Sequence, residues 1–149
     1  MNSTRPPIRI GAFAIRFLVE AEDSGGSATV FECDVPADAK MPLPHSHDGF
    51  EETVYGLEGV TTFTVDGEAH EIGPGGCLCI RRGQVHGFDN HGSADAKFLA
   101  IASPGVFGPA YFEEMAAIIA AAQGGPPDPA QAGEVMRRHG LTPAKPVTA

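Results

Sequence analysis

The sequence predicts an all-β domain that ends in a helical segment. Three observations lead there. Short runs rich in Val, Ile, Phe and Thr recur along the chain, 19 glycines and 13 prolines in 149 residues punctuate them, and helical periodicity is scarce before residue 108. A chain of this length suits one domain with a real hydrophobic core. Its formal charge of −9 argues against an electrostatic nucleic-acid binder. The apolar run IGAFAIRFLVEA is interrupted by Arg16 and Glu20. It is too short for a membrane span and poor as a signal core, so no membrane association and a cytoplasmic location are expected.

The elements follow in order. MNSTRPP opens the chain as a loose arm. FLVEA, EDSGG and SATVFECDV read as strand, turn and strand, with Gly25 and Gly26 in the turn. PADAKMPLP carries Pro36, Pro42 and Pro44 and is a loop. TVYGLEG and VTTFTV are strands, and Asp66-Gly67 suits a type I′ hairpin turn. EAHEI, CLCI, QVHGF and AKFLAIA continue the series. From Pro109 the pattern changes. Phe112, Met115, Ile119 and Ala122 recur at helical spacing, and Gly124, Gly125 and Pro126 stop the helix. A second short helix follows, with Asp128 as its N-cap and Gly140 as its stop. The apolar face of this segment is expected to cover the core.

The odd cysteine count, Cys33, Cys77 and Cys79, argues against a disulfide framework. Cys77 and Cys79 share one strand face and are expected as small buried hydrophobes. Tyr55, Phe63, Phe88 and Phe98 lie on or near strands, with core filling as the expected role of each and a pocket wall as the alternative.

The chemistry concentrates in PHSHDGFEETVYGLEG. Alternate residues of a strand face the same way, so His45 and His47 can converge on one ion. Asp48-Gly49 then breaks the strand, so either Glu51 or Glu52 could add a carboxylate oxygen. A second segment, GPGGCLCIRRGQVHGFDN, turns at Gly83 and sets His86 on the next strand. Three imidazoles and a carboxylate would leave open positions on an octahedral metal. His70, His91 and His139 read as surface residues, and Arg81 and Arg82 as either ordinary turn residues or steering charges for an anionic substrate.

These segments resemble the two motifs of the cupin superfamily. His45-Ser46-His47, Glu52 and Gly59 stand at the spacing of the first motif, and this register selects Glu52 over Glu51. Gly75, Gly83, His86 and Asn90 stand at the spacing of the second, with Arg81 where the family usually has Pro. FLVEAEDSGG and SPGVFGPAYFEEMAAI extend the likeness, over roughly residues 10 to 122, to small single-domain cupins similar to bacterial quercetin dioxygenases. The resemblance implies a double-stranded β-helix, or jelly-roll, barrel over 10–104, a flexible arm over 1–9, and C-terminal helices and tail over 105–149. It implies His45, His47, Glu52 and His86 as ligands of a divalent transition metal (Fe, Mn, Ni, Co, Cu or Zn), with Glu52 also as a catalytic proton acceptor. The function implied is a metal-dependent, dioxygenase-like enzyme of a small aromatic or enolic substrate, working as a homodimer. The alternatives are a non-catalytic metabolite-binding or sensing cupin and a metal-dependent isomerase.

Overall fold

The computed structural model of the chain describes residues 5–41 and 43–145, so Pro42, the first residues of the expected arm and the end of the tail lie outside it. Two antiparallel sheets pack face to face as a jelly roll. The larger sheet begins with β1 (Ile8–Ile10) and β2 (Phe13–Val19). A single helical turn, α1 (Ala21–Ser24), then leads into β3 (Thr29–Val35). The smaller sheet contributes β4 (His45–His47), and the chain returns through β5 (Glu51–Glu58). The hairpin β6 (Thr61–Val65) and β7 (Glu68–Ile72) precedes β8 (Cys77–Ile80), β9 (His86–Asp89) and the long β10 (Ala96–Ser103). Helices α2 (Pro109–Ala121) and α3 (Pro129–Arg138) follow, and β11 (Leu141–Pro143) closes the chain. The strand orders are β1-β2-β3-β10-β5-β8 and β11-β4-β9-β6-β7.

The alternation of each strand builds the core. Ala96, Phe98, Ala100 and Ala102 of β10 point inward, and Phe31, Cys33 and Val35 of β3 do the same. The turn residues act as their types demand. Asp66 and Gly67 have φ values of 49° and 85°, the paired positive angles of a type I′ turn. Gly59, the glycine of the first motif, has φ 61°, and a Cβ there would meet the Asp95 carbonyl oxygen at 2.4 Å. Asn90, fully buried, donates to the carbonyls of Val35 (3.0 Å) and Ala94 (2.9 Å) and accepts from the Gly92 amide. It thereby fixes the loop that leaves β9.

Four features depart from the expectations. Ile8 and Arg9, inside the 1–9 span expected as an arm, pair with β2, and Arg5 is anchored by Asp23 at 2.7 Å. Cys77 and Cys79 are exposed rather than buried. The inward positions of edge strand β8 belong to Leu78 and Ile80, so the cysteines face out opposite Tyr55 and Thr53. Tyr55 is likewise on the outer face. Finally, LTP forms β11, a strand no local pattern announces. Asp128 does cap α3, accepting from the amides of Ala130 and Gln131, and Pro129 opens that helix as Pro109 opens α2. Among the described residues no helix is long and apolar enough to cross a membrane.

The last strand matters because β4 has only three residues. Leu141, fully buried, pairs with His47, and Pro143 pairs with His45. The prediction is that Leu141→Ala costs about 2–5 kcal/mol of stability through the cavity it leaves. Urea unfolding measures this, and a loss well under about 1 kcal/mol would show that β11 does not pin β4.

Candidate metal centre

His45 and His47 project from β4 into the interior, and both are buried. His86 starts β9 directly opposite His45. The three rings lie 4.5–5.1 Å apart, centroid to centroid. One possible ligand atom from each lies within 4.8 Å of the others. Glu52 reaches the same point from β5 in the other sheet. Its Oε2 is 3.6 Å from His47 Nε2 and 3.6 Å from His86 Nε2. Glu51, one residue earlier, faces outward and pairs with Arg82 at 2.9 Å. The strand parity thus separates two carboxylates that are adjacent in sequence.

Hydrogen bonds set the rings. His45 Nδ1 lies 3.0 Å from the Leu43 carbonyl oxygen, and His86 Nδ1 lies 3.0 Å from that of Gln84. A carbonyl only accepts, so each Nδ1 carries a proton and, in a neutral ring, Nε2 keeps its lone pair. Both nitrogens of His47 are buried with no partner among the described residues. An orphaned buried nitrogen is costly unless something outside the chain satisfies it. The His47 ring is held from behind, stacked 4.2 Å from Phe50, which stacks in turn 4.9 Å from Phe107.

The electrostatics match a cation site. Burial, reinforced by the neighbouring imidazoles, pushes the His45 pKa down to about 3. Burial likewise lowers His47 to about 4, against the pull of Glu52. Both rings are therefore neutral near pH 7, the state a metal requires. Burial also disfavours charge on His86 and on Glu52. Their mutual attraction outweighs it, raising the first and lowering the second. Glu52 is thus an anion held ready for positive charge. The donors present, three imidazoles and one carboxylate, fit a divalent transition metal.

Beside this cluster lies a cavity of about 180 Å³. Phe63, Phe88 and Phe98, expected mainly as core, form part of its wall while also packing on one another. Phe107, Tyr111, Phe112 and Met115 of the C-terminal segment close it. That apolar face, expected as a core cover, is thus a cavity wall as well, and helical spacing is the same sequence signal for both roles. Arg81 and Arg82 do not line the cavity. His70 is half-buried on β7, and His91 is exposed. His139 is half-buried and bonds Glu114 at 2.6 Å.

No curated protein matches the chain. The Cupin domain family matches residues 31–102. A predicted oxalate decarboxylase from Thermotoga maritima superposes with a TM-score of 0.63 at 25% identity, over 68% of this chain and 98% of that one. The polyketide cyclase RemF from Streptomyces resistomycificus does so with a TM-score of 0.56 at 30% identity, over 66% and 69%. A sugar phosphate isomerase from a cupin superfamily of Silicibacter pomeroyi shares the fold at 24% identity and TM-score 0.55, over 68% and 70%. With its motifs, two-sheet barrel and matched domain together, the chain belongs to the cupin superfamily.

Proposed function

We propose that His45, His47, His86 and Glu52 hold a divalent transition metal, and that the chain is a dioxygenase-like enzyme of small aromatic or enolic compounds. The observation that carries this reading is the convergence of three buried imidazoles and one carboxylate on the wall of an aromatic-lined cavity. A metal there supplies Lewis acidity toward an enolate or phenolate oxygen. The residues of the chain do the rest. The aromatic wall takes up a flat apolar ligand and excludes water. Glu52 Oε2 accepts the proton of the ligand hydroxyl, and the fixed imidazoles keep the reacting oxygen at the deep end of the cavity. The reading extends, on the family resemblance, to a homodimer, and, on the sequence pattern of the apolar run before Glu20, to a cytoplasmic location.

A second reading rests on the 30% identity to a polyketide cyclase. It is a cyclase or isomerase that uses the same site on an enolisable substrate without oxygen.

Three measurements test these readings. His47→Ala or His86→Ala should lower bound metal to near zero while far-UV dichroism stays that of the folded barrel, and undiminished metal in either variant would remove the site. Glu52→Gln should weaken metal binding by more than the roughly 10–100-fold typical of lost indirect support, whereas Glu51→Gln should change it little. The reverse order would contradict the inward assignment of Glu52. Third, protein loaded with iron, manganese, nickel or cobalt should consume oxygen with a catechol, a flavonol or an enolic diketone, and Glu52→Gln should abolish this uptake. Conversion at equal rate under nitrogen would favour the second reading, and no conversion with any of the four metals would leave a binding module.

A further inference from the structure

The cavity is nearly devoid of polar side chains away from the four site residues. Lys40 borders it but is exposed at the surface. The other exception is Tyr111 on α2, which is 5% exposed. A buried tyrosine hydroxyl ordinarily finds a partner. That of Tyr111 has no hydrogen bond among the described residues, although it is not among the sealed unpaired atoms of the interior. Its ring is fixed by Phe107 and Phe112, each with centroids at 5.1 Å, and by the edge of His139 at 5.8 Å. His139 is itself held by Glu114. Burial, and then the charge of Glu52, push the phenol pKa up, so the hydroxyl keeps its proton and can donate it. A packed tyrosine thus lines an aromatic cavity, and its hydroxyl has no acceptor among the described residues.

Size and polarity narrow the occupant. An apolar cavity of about 150 Å³ holds benzene, so one of about 180 Å³ suits a substituted single ring. A sugar or phosphate would bury several donors or charges against phenylalanine with no partner, each costing about 1–3 kcal/mol or more. We propose that Tyr111 is a specificity-determining residue, and that the cavity takes a one-ring aromatic or equally compact enolic compound with two oxygens. One oxygen lies among the imidazoles and Glu52, and the other accepts a hydrogen bond from the Tyr111 hydroxyl. This assignment rests on the reading of the site given above.

The test compares meta-hydroxyacetophenone, which offers a carbonyl acceptor, with meta-ethylphenol and toluene, which do not. Binding is measured by calorimetry to wild type and Tyr111→Phe, each metal-free and zinc-loaded. Tyr111→Phe should weaken the ketone about 3–10-fold, the worth of one neutral hydrogen bond, and leave toluene unchanged. Toluene binding also reports that the variant cavity is intact. Independently of any variant, wild type should prefer the ketone to meta-ethylphenol by a similar factor. Equal affinity for those two, a ketone affinity unmoved by Tyr111→Phe, or comparable binding of glucose 6-phosphate overturns the proposal. Zinc per chain in the same samples separates the two claims. Wild type that takes up no zinc refutes the metal reading, while the ketone contrast in metal-free protein still decides the role of Tyr111.

Discussion

His45 and His86 face each other across one antiparallel pair, and the candidate site depends on that register. A slip by one residue would turn one imidazole out of the interior. Strand β4 is too short to hold this alignment alone, so the surroundings hold it. The Gly83 amide donates to the His47 carbonyl at 2.9 Å, the Asp48 amide donates to that of Gly140 at 2.8 Å, and Thr142 Oγ1 donates to the Asp48 carboxylate at 2.7 Å. Elements from the β8–β9 turn and from the C-terminus thus clamp the end of this strand at His47 and Asp48. The C-terminal segment is consequently more than a cover: β11 secures the strand that carries His45 and His47, and α2 closes the cavity beside it.

The polar cluster and the aromatic wall depend on each other in turn. Burial keeps His45 and His47 neutral, and neutral imidazoles are what a cation needs. The same burial makes the Glu52 carboxylate expensive unless positive charge lies next to it. In water these groups would titrate as ordinary side chains with no fixed geometry. Set beside an aromatic-lined cavity, they form one strongly polar point in an apolar space. A ligand bound there is oriented by whichever of its atoms can meet that point, with Tyr111 as the second directional contact.

Much of this was readable from residue type and spacing. The strand series, the Asp66-Gly67 turn, the Asp128 cap and the inward pairing of His45 with His47 are local properties, set by backbone conformation and a period of two. The choice of Glu52 over Glu51 needed the motif resemblance, because Asp48-Gly49 breaks the strand and parity cannot be counted across it. Other features were beyond local reading. Cys77 and Cys79 look apolar, yet their faces follow from β8 being a sheet edge whose partner strand is set by topology. Leu141 carries no strand signal of its own, and its pairing is created by where α3 ends. Phe107 and Tyr111 follow or sit within a helical pattern, and whether such a face meets a packed core or a cavity depends on volume left by distant strands.

In the proposed site three imidazoles and one carboxylate gather around a single cation. X-ray absorption at the metal edge of zinc-reconstituted protein tests it most directly. The expected spectrum has a nitrogen and oxygen shell at about 2.0–2.2 Å, with the outer-shell scattering of three imidazoles from His45, His47 and His86. A sulfur shell at about 2.3 Å, which would place the metal on cysteine, or a spectrum without imidazole scattering would contradict it.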